Sequence, residues 1–265
     1  MISAVLAVAR GAAREQLRYP IDLLASGGFL AVVLFLYWRL WTVVESQGGL
    51  TDLGRFDVTA LVTYLLVTEL VVLAPGALHL QVAEDVRSGV YSVSLLRPLP
   101  HAAWEMGRAL GTMSARLLGL LALGLPFLVF VVGLPELRWR DALLALGFVL
   151  PVAILLECAV RVSIGLLAFW VEDVAPVYWI WQKFLFVLGG LFMPIEFYPD
   201  WLYSLASWLP FRVLLHDPAR MAVGGLAEGE LVPLLLRLLF WSAVLFGGLL
   251  LLERLGRRHV QAQGG

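Results

Sequence analysis

The sequence predicts an all-α polytopic membrane protein with six transmembrane helices. Three observations carry that expectation. Of the 265 residues, 61% are hydrophobic and only 15% are charged, whereas a soluble domain is typically about 45–50% apolar and about 25% charged. Mean hydropathy is +0.88. Several apolar runs exceed the ~18 residues that mark a bilayer-spanning helix, and they fill so much of the chain that no segment is left to build a soluble core.

Residues 1–20 come first. Ile2, Val5, Leu6, Ala9, Ala13 and Leu17 recur at helical steps, and Arg10, Arg14 and Arg18 recur every four residues. An apolar stripe beside a basic stripe describes a helix lying in the membrane interface, its arginines toward anionic headgroups; a frayed tail is the alternative. This N-terminus is not a cleavable signal, because the following apolar run is too long and lacks a clear small-residue cleavage site. The first span is 23–44, with Arg39 near its end among Tyr37, Trp38 and Trp41, where a long side chain snorkels into an aromatic belt. The second is 58–82. It carries Glu69 at mid-depth and Pro75-Gly76 further on, where the missing amide donor predicts a kink.

A charged island at 84–100 follows, Glu-Asp-Val-Arg-Ser-Gly and then Val-Tyr-Ser-Val-Ser-Leu-Leu-Arg-Pro-Leu-Pro. On composition alone an ordinary charged loop would also account for it. The third span is 103–133, with Arg108 and Arg116 on its early turns. The fourth is 142–171 and holds Glu157 and Arg161, four apart and so on one face. The fifth is 177–194. Residues 195–231 alternate aromatic and apolar residues with breakers (Pro199, Pro210, Pro218, Gly224, Gly225), which predicts an outer hairpin that re-enters the membrane, since irregular backbone is tolerated there only against protein or a cavity. The sixth span is 232–252, followed by Arg254, Arg257 and Arg258.

An even number of spans puts both termini on one side. Arg10, Arg14, Arg18, Arg87, Arg97, Arg108, Lys183, Arg254, Arg257 and Arg258 lie on that side. Arg55, Arg138, Arg140, Arg212 and Arg220 lie on the other. The bias of about two to one places the termini and the 84–100 island in the cytoplasm; a five-span arrangement is the alternative.

Several chemistries are excluded by what the sequence lacks. There is no phosphate-cradling loop ending in Lys-Ser or Lys-Thr, and Lys183 is the only lysine. His79, His101, His216 and His259 show no metal-ligand spacing, and no nucleophile elbow occurs. The lone Cys158 sits in an apolar run and reads as a small hydrophobe. A net charge of −1 with scattered basic residues gives no nucleic-acid footprint. No metal site and no cofactor is expected in this chain. Glu69, Arg116, Glu157 and Arg161 remain as charges within apolar spans, each a functional hypothesis with a partner to be named. An ion pair that holds helices together, with Arg161 the nearest partner of Glu157, is one reading; a proton or cation path through Glu69 and Glu157 is the other.

Two stretches carry a family resemblance. Glu84-Asp85-Val86-Arg87-Ser88-Gly89 with Leu95-Leu96-Arg97-Pro98-Leu99 resembles the cytoplasmic loop of the permease subunits of type-2 ABC exporters, in the multidrug, daunorubicin-like or viologen exporter branch. Gly189-Gly190-Leu191-Phe192-Met193-Pro194-Ile195-Glu196-Phe197-Tyr198-Pro199-Asp200-Trp201-Leu202, continuing through Trp208-Leu209-Pro210-Phe211 to Asp217-Pro218, resembles the same family's fifth span and outer hairpin. The resemblance covers essentially the whole chain. It implies a partnership of two permease subunits, identical or paralogous, in the cell's plasma or inner membrane, each docked on a separate ATP-binding subunit that carries ATP and Mg. The substrate would pass between the permeases, capped by outer hairpins bearing Pro194, Glu196, Pro199, Trp201 and Pro210. The 84–100 segment would be the coupling helix, with Glu84, Asp85, Arg87, Arg97 and Pro98 at the contact and Gly89 its bend, and the helix at 2–18 would also touch the motor. A non-transporting assembly, immunity or sensor protein is the competing class; an intramembrane enzyme lacks any catalytic constellation.

Overall fold

The computed structural model describes residues 2–48, 56–96, 100–135, 138–227 and 229–263. Among them every regular element is helical. Five helical stretches are long and apolar enough to cross a membrane: Pro20–Ser46, Val58–Arg87, His101–Val132, Trp139–Phe169 and Leu231–His259. The chain is therefore a multi-pass membrane protein.

Helix α1 (Ile2–Leu17) lies along the first half of α6 (His101–Phe127). The approach is close because α6 offers glycines there: a Cβ on Gly111 would lie 2.0 Å from the Ala9 carbonyl oxygen, and one on Gly107 would lie 3.2 Å from that of Val5. Arg10, Arg14 and Arg18 stay exposed on the opposite face. Helix α2 (Pro20–Ser46) starts on Pro20, whose absent amide costs nothing in a first turn. It packs on α6 through Gly27 and Gly119 and buries only one stripe, Leu30, Leu34, Tyr37 and Trp41.

Helix α3 (Val58–Leu73) is the central element. Asp57 caps it, its Oδ1 accepting the Ala60 amide at 2.8 Å, and every residue from Val58 to Val72 except Thr59 is buried. At the Pro75-Gly76 step the expected kink is a full break. Residues 74–77 form a turn with Gly76 at φ 60°, and α4 (Leu78–Arg87) and the short α5 (Val90–Ser94) follow.

Helix α6 ends in a π-helical turn, Leu128–Val132. After α7 (Trp139–Leu144) a second π-helical stretch, Ala145–Val149, runs into α8 (Leu150–Leu166). Close approach of α4 to α8 is permitted by Gly165, where a Cβ would lie 2.6 Å from Val82 Cβ.

Helix α9 (Ala175–Leu188) has 14 residues, about 21 Å at 1.5 Å per residue, and it ends six residues before the apolar run does. Gly190 turns the chain at φ 71°, and its carbonyl accepts the Tyr64 hydroxyl at 2.8 Å. A short 3₁₀ turn, Ile195–Phe197, lies against Trp41 and Phe56, with Phe197 packed edge-on to Phe56 at 5.7 Å. Helix α10 (Asp200–Trp208) is largely exposed. The return segment, a π turn Arg212–His216 with α11 (Asp217–Ala222), is buried among α3, α7 and α8. Helix α12 (Leu231–Gln263) closes the bundle.

Candidate functional site

The charged island sits at one end of the bundle, beside α6, the α8–α9 connection and the C-terminal half of α12. Its bend is local chemistry. Gly89 has φ 79° and stops α4 while starting α5, its carbonyl accepting the Ser92 amide at 3.0 Å. Any other residue there would carry the left-handed penalty of about 1–2 kcal/mol.

Helix α5 has two unlike faces. Its inner face is anchored. Tyr91 is 1% exposed and stands edge-on between His101, at 4.3 Å, and Phe169, at 4.9 Å. Burial pushes the Tyr91 phenol up to about 12, with the Glu253 carboxylate adding to the shift and Arg257 opposing it. Ser94 Oγ is 2.9 Å from His101 Nδ1. In α4, Asp85 is held 3.2 Å from Arg108 Nη2, which also meets Glu105 at 2.7 Å. Arg87 donates to the Glu172 carbonyl, pinning the end of α4 to the α8–α9 connection. On α12, Gly256 lies against the Phe169 ring and Glu253 pairs with Arg257 at 2.6 Å. The outer face of the segment is free of such anchors: Val90, Val93 and Leu96 are exposed, the last two 61% and 87%, next to exposed Glu84 and Ser88. Arg97 and Pro98 lie outside the described residues.

The intramembrane charges divide into three cases. Glu157 and Arg161 pair at 2.8 Å, fully buried, and Trp181 Nε1 donates to the second Glu157 oxygen at 3.1 Å. The Arg161 guanidinium also donates to the carbonyls of Val72, at 2.7 Å, and Gly76, and it lies 5.0 Å from the centre of the Tyr178 ring. Arg116 approaches the same break from the other side. It pairs with Asp22 at 2.5 Å and donates to Ser26 Oγ at 2.8 Å and, at 3.4 Å, to the Leu73 carbonyl. Carbonyls at the end of α3, where helical partners run out, are thus met by guanidiniums from α6 and α8. Glu69 departs from the ion-pair expectation: it is 4% exposed and makes no hydrogen bond or ion pair among the described residues.

The far end of the bundle carries a second polar network. Glu196 meets Arg220 at 2.8 Å and His216 Nε2 at 3.4 Å. His216 Nδ1 lies 3.1 Å from the Tyr64 hydroxyl. Asp217 pairs with Arg212 at 2.9 Å and with Arg237 at 3.4 Å. Pro194 and Pro199 cap the 3₁₀ turn and α10, Pro210 is buried, and Trp201 is exposed. Burial opposes ionisation of Glu196, but the adjacent His216 ring, its own backbone amide and Arg220 together hold the carboxyl down at about 2. A depressed carboxylate stabilises the fold above its unfolded value of about 4.3, and that contribution is lost as pH falls through about 2. Glu196→Gln is therefore expected to lower the unfolding temperature at pH 7 and to differ progressively less from the parent below pH 4; an equal gap at pH 2.5 and pH 7 would contradict this.

Sequence reasoning picked out Glu84, Asp85, Arg87 and Gly89, which the fold brings to one surface. It missed Tyr91, His101 and Phe169, which anchor that surface; the one signal was an aromatic inside a polar run.

No curated protein matches the chain. A family model described as ABC-2 family transporter protein matches residues 29–264, a stretch that holds all five long apolar helices except the first turns of α2, together with the anchored island and the polar network at the opposite end. The chain thus belongs to the ABC-2 family of transporter membrane proteins.

Proposed function

We propose that this chain is the transmembrane subunit of an ATP-driven exporter. It forms half of the translocation path and receives force from a separately encoded ATP-binding subunit. The observation that carries the reading is the two-faced α5. Its inner face is wedged through Tyr91 against α6, the end of α8 and α12, while its outer face and the turn after it present Val90, Val93 and Leu96 to a partner. Anchored on one side and apolar on the other, it is built to pass a push into three spanning helices. ATP and Mg belong to the partner, and a second permease, identical or paralogous, completes the path.

The topology of this reading has six crossings with both termini in the cytoplasm of a cell's plasma or inner membrane. The crossing added to the five long helices is α9, fifth in chain order. It starts beside His79, on whose ring Tyr178 stacks at 3.7 Å, and the segment after it ends beside Phe56, at the opposite end of the path traced by α3 and α4. The segment 195–231 is the re-entrant outer hairpin, and α1 is the interfacial helix, its arginines toward lipid headgroups. Resemblance at 84–99 and 189–218 points to the multidrug, daunorubicin-like or viologen branch.

Co-purification of the full chain with its ATP-binding subunit tests the reading. Val93→Glu places a charge where about 1.5–3 kcal/mol of apolar burial is expected. It is expected to weaken docking at least tenfold and to abolish transport while membrane insertion is unchanged. Full transport by Val93→Glu would refute the coupling role.

A further inference from the structure

Between α3, α6 and α8 lies a cavity of about 330 Å³, within the size range of ligand sites, about 300–1,000 Å³. Its deep wall includes Leu66, Leu121 and Ile154, and among the described residues its only polar side chain is Thr63. That hydroxyl is already engaged, donating to the Thr59 carbonyl at 2.7 Å. No described lining side chain is therefore free to hold water or a polar ligand, and apolar cavities of this kind stay dry. An empty space of this size would be strongly destabilising, so the site calls for a hydrocarbon occupant.

The mouth shows where that occupant comes from. Leu125, Leu134 and Leu146 line the cavity and are also exposed, so it opens sideways, from between spanning helices. Each flank of the opening is a π-helical stretch, Leu128–Val132 on one side and Ala145–Val149 on the other. Such widened turns are frequent at functional sites. Beside the mouth, between cavity-lining Leu134 and Ala142 in the chain, Arg138, Trp139 and Arg140 are exposed. Arg138 reaches the Leu226 carbonyl at 3.4 Å, and Arg140 has no hydrogen-bond partner among the described residues. Asp141 is the neighbouring carboxylate among the described residues. Two cations and a tryptophan beside a hydrocarbon slot match a phosphate headgroup above an acyl chain.

We propose that this cavity holds one acyl chain of a membrane phospholipid, whose phosphate lies against Arg138 and Arg140. The site is internal to one chain and is separate from the coupling surface.

The test uses the full chain in phosphatidylcholine vesicles containing phosphatidylglycerol with a mid-chain diazirine. After illumination, adducts are mapped by mass spectrometry. Adducts are expected on Leu66, Leu121 and Ile154, with exposed Phe35 and Phe240 as a bulk-lipid reference. Leu146→Trp at the mouth and Leu121→Trp in the body should remove the cavity adducts and leave the reference unchanged; a match of each variant's unfolding temperature to the parent identifies folded samples. Arg138→Gln with Arg140→Gln, both at the surface, should lower cavity labelling several-fold without filling the slot. Adducts confined to the reference residues would overturn the proposal. So would equal cavity labelling by a headgroup-free diazirine alkane, or labelling indifferent to the two arginines, since either would assign the slot to any hydrocarbon.

Discussion

Replacing Arg161 with methionine is expected to destabilise the protein by about 3–5 kcal/mol, the usual cost of removing one partner of a buried pair. Two losses combine. Glu157 is left fully buried with only the Trp181 indole as a donor. The carbonyls of Val72 and Gly76 lose the guanidinium that holds them, and an orphaned buried acceptor costs about 1–3 kcal/mol. Arg161→Lys should rescue little, because one ammonium cannot span Glu157 and two carbonyls as a planar five-donor fork does. The double change Glu157→Leu with Arg161→Met removes the stranded carboxylate but not the stranded carbonyls. It should therefore recover only part of the loss. Unfolding of the purified protein in detergent measures all three. Full recovery in the double variant would show that the carbonyls carry no weight; an unchanged unfolding midpoint in Arg161→Met would refute the clamp.

Gly165→Leu is expected to disconnect the platform formed by α4 and α5. A Cβ at 165 would already lie 2.6 Å from Val82 Cβ and 2.8 Å from the His79 carbonyl oxygen. Backbone cannot give way as a flexible side-chain tip can, so α4 must move off α8. Overpacking of this kind costs about 1–3 kcal/mol or more, and the displacement carries Asp85, Arg87 and α5 with it. Docking of the ATP-binding subunit and transport should both fall more than tenfold, with insertion retained. Gly247→Ala in α12 is the matched control: nothing lies within 4 Å of its Cβ position, and a mid-helix glycine costs roughly 0.5–1 kcal/mol relative to alanine. It should be neutral or stabilising. Transport by Gly165→Leu at the parental rate would show that the close approach is dispensable.

The sequence made some of this architecture legible because the cause was local. The i, i+4 spacing put Glu157 and Arg161 together on one face, and they pair. Pro75-Gly76 announced a kink in the second apolar stretch, and α3 stops there outright. What it could not show depends on partners far away in the chain. Arg116 and Arg161 belong to helices forty and eighty residues beyond the break they satisfy, and no pattern within a helix records that. Glu69 and Glu157 look alike as carboxylates in apolar runs, yet one has a guanidinium and an indole and the other has neither. The apolar run through Phe192 and Met193 hides the end of α9, because hydropathy does not register that Gly190 takes a positive φ and lends its carbonyl to Tyr64. The π turns are likewise silent, since Leu128–Val132 and Ala145–Val149 continue the hydropathy of their neighbours unbroken.

Helix α9 has a consequence for how the chain is made. At about 21 Å it falls short of the ~30 Å hydrocarbon layer, and it carries Gln182 and Lys183. A segment so short and so marked partitions poorly into lipid as it leaves the ribosome. What holds it at depth is side-chain contact with segments on either side of it in synthesis: Tyr178 on His79, Trp181 on Glu157, and Trp181 again on Phe211 at 4.8 Å. The first two partners exist before α9 emerges, while Phe211 arrives more than twenty residues after it. If α9 crosses as proposed, its integration is expected to be a late step that waits for the return segment, and a nascent chain stalled before Phe211 is expected to leave α9 at the bilayer surface.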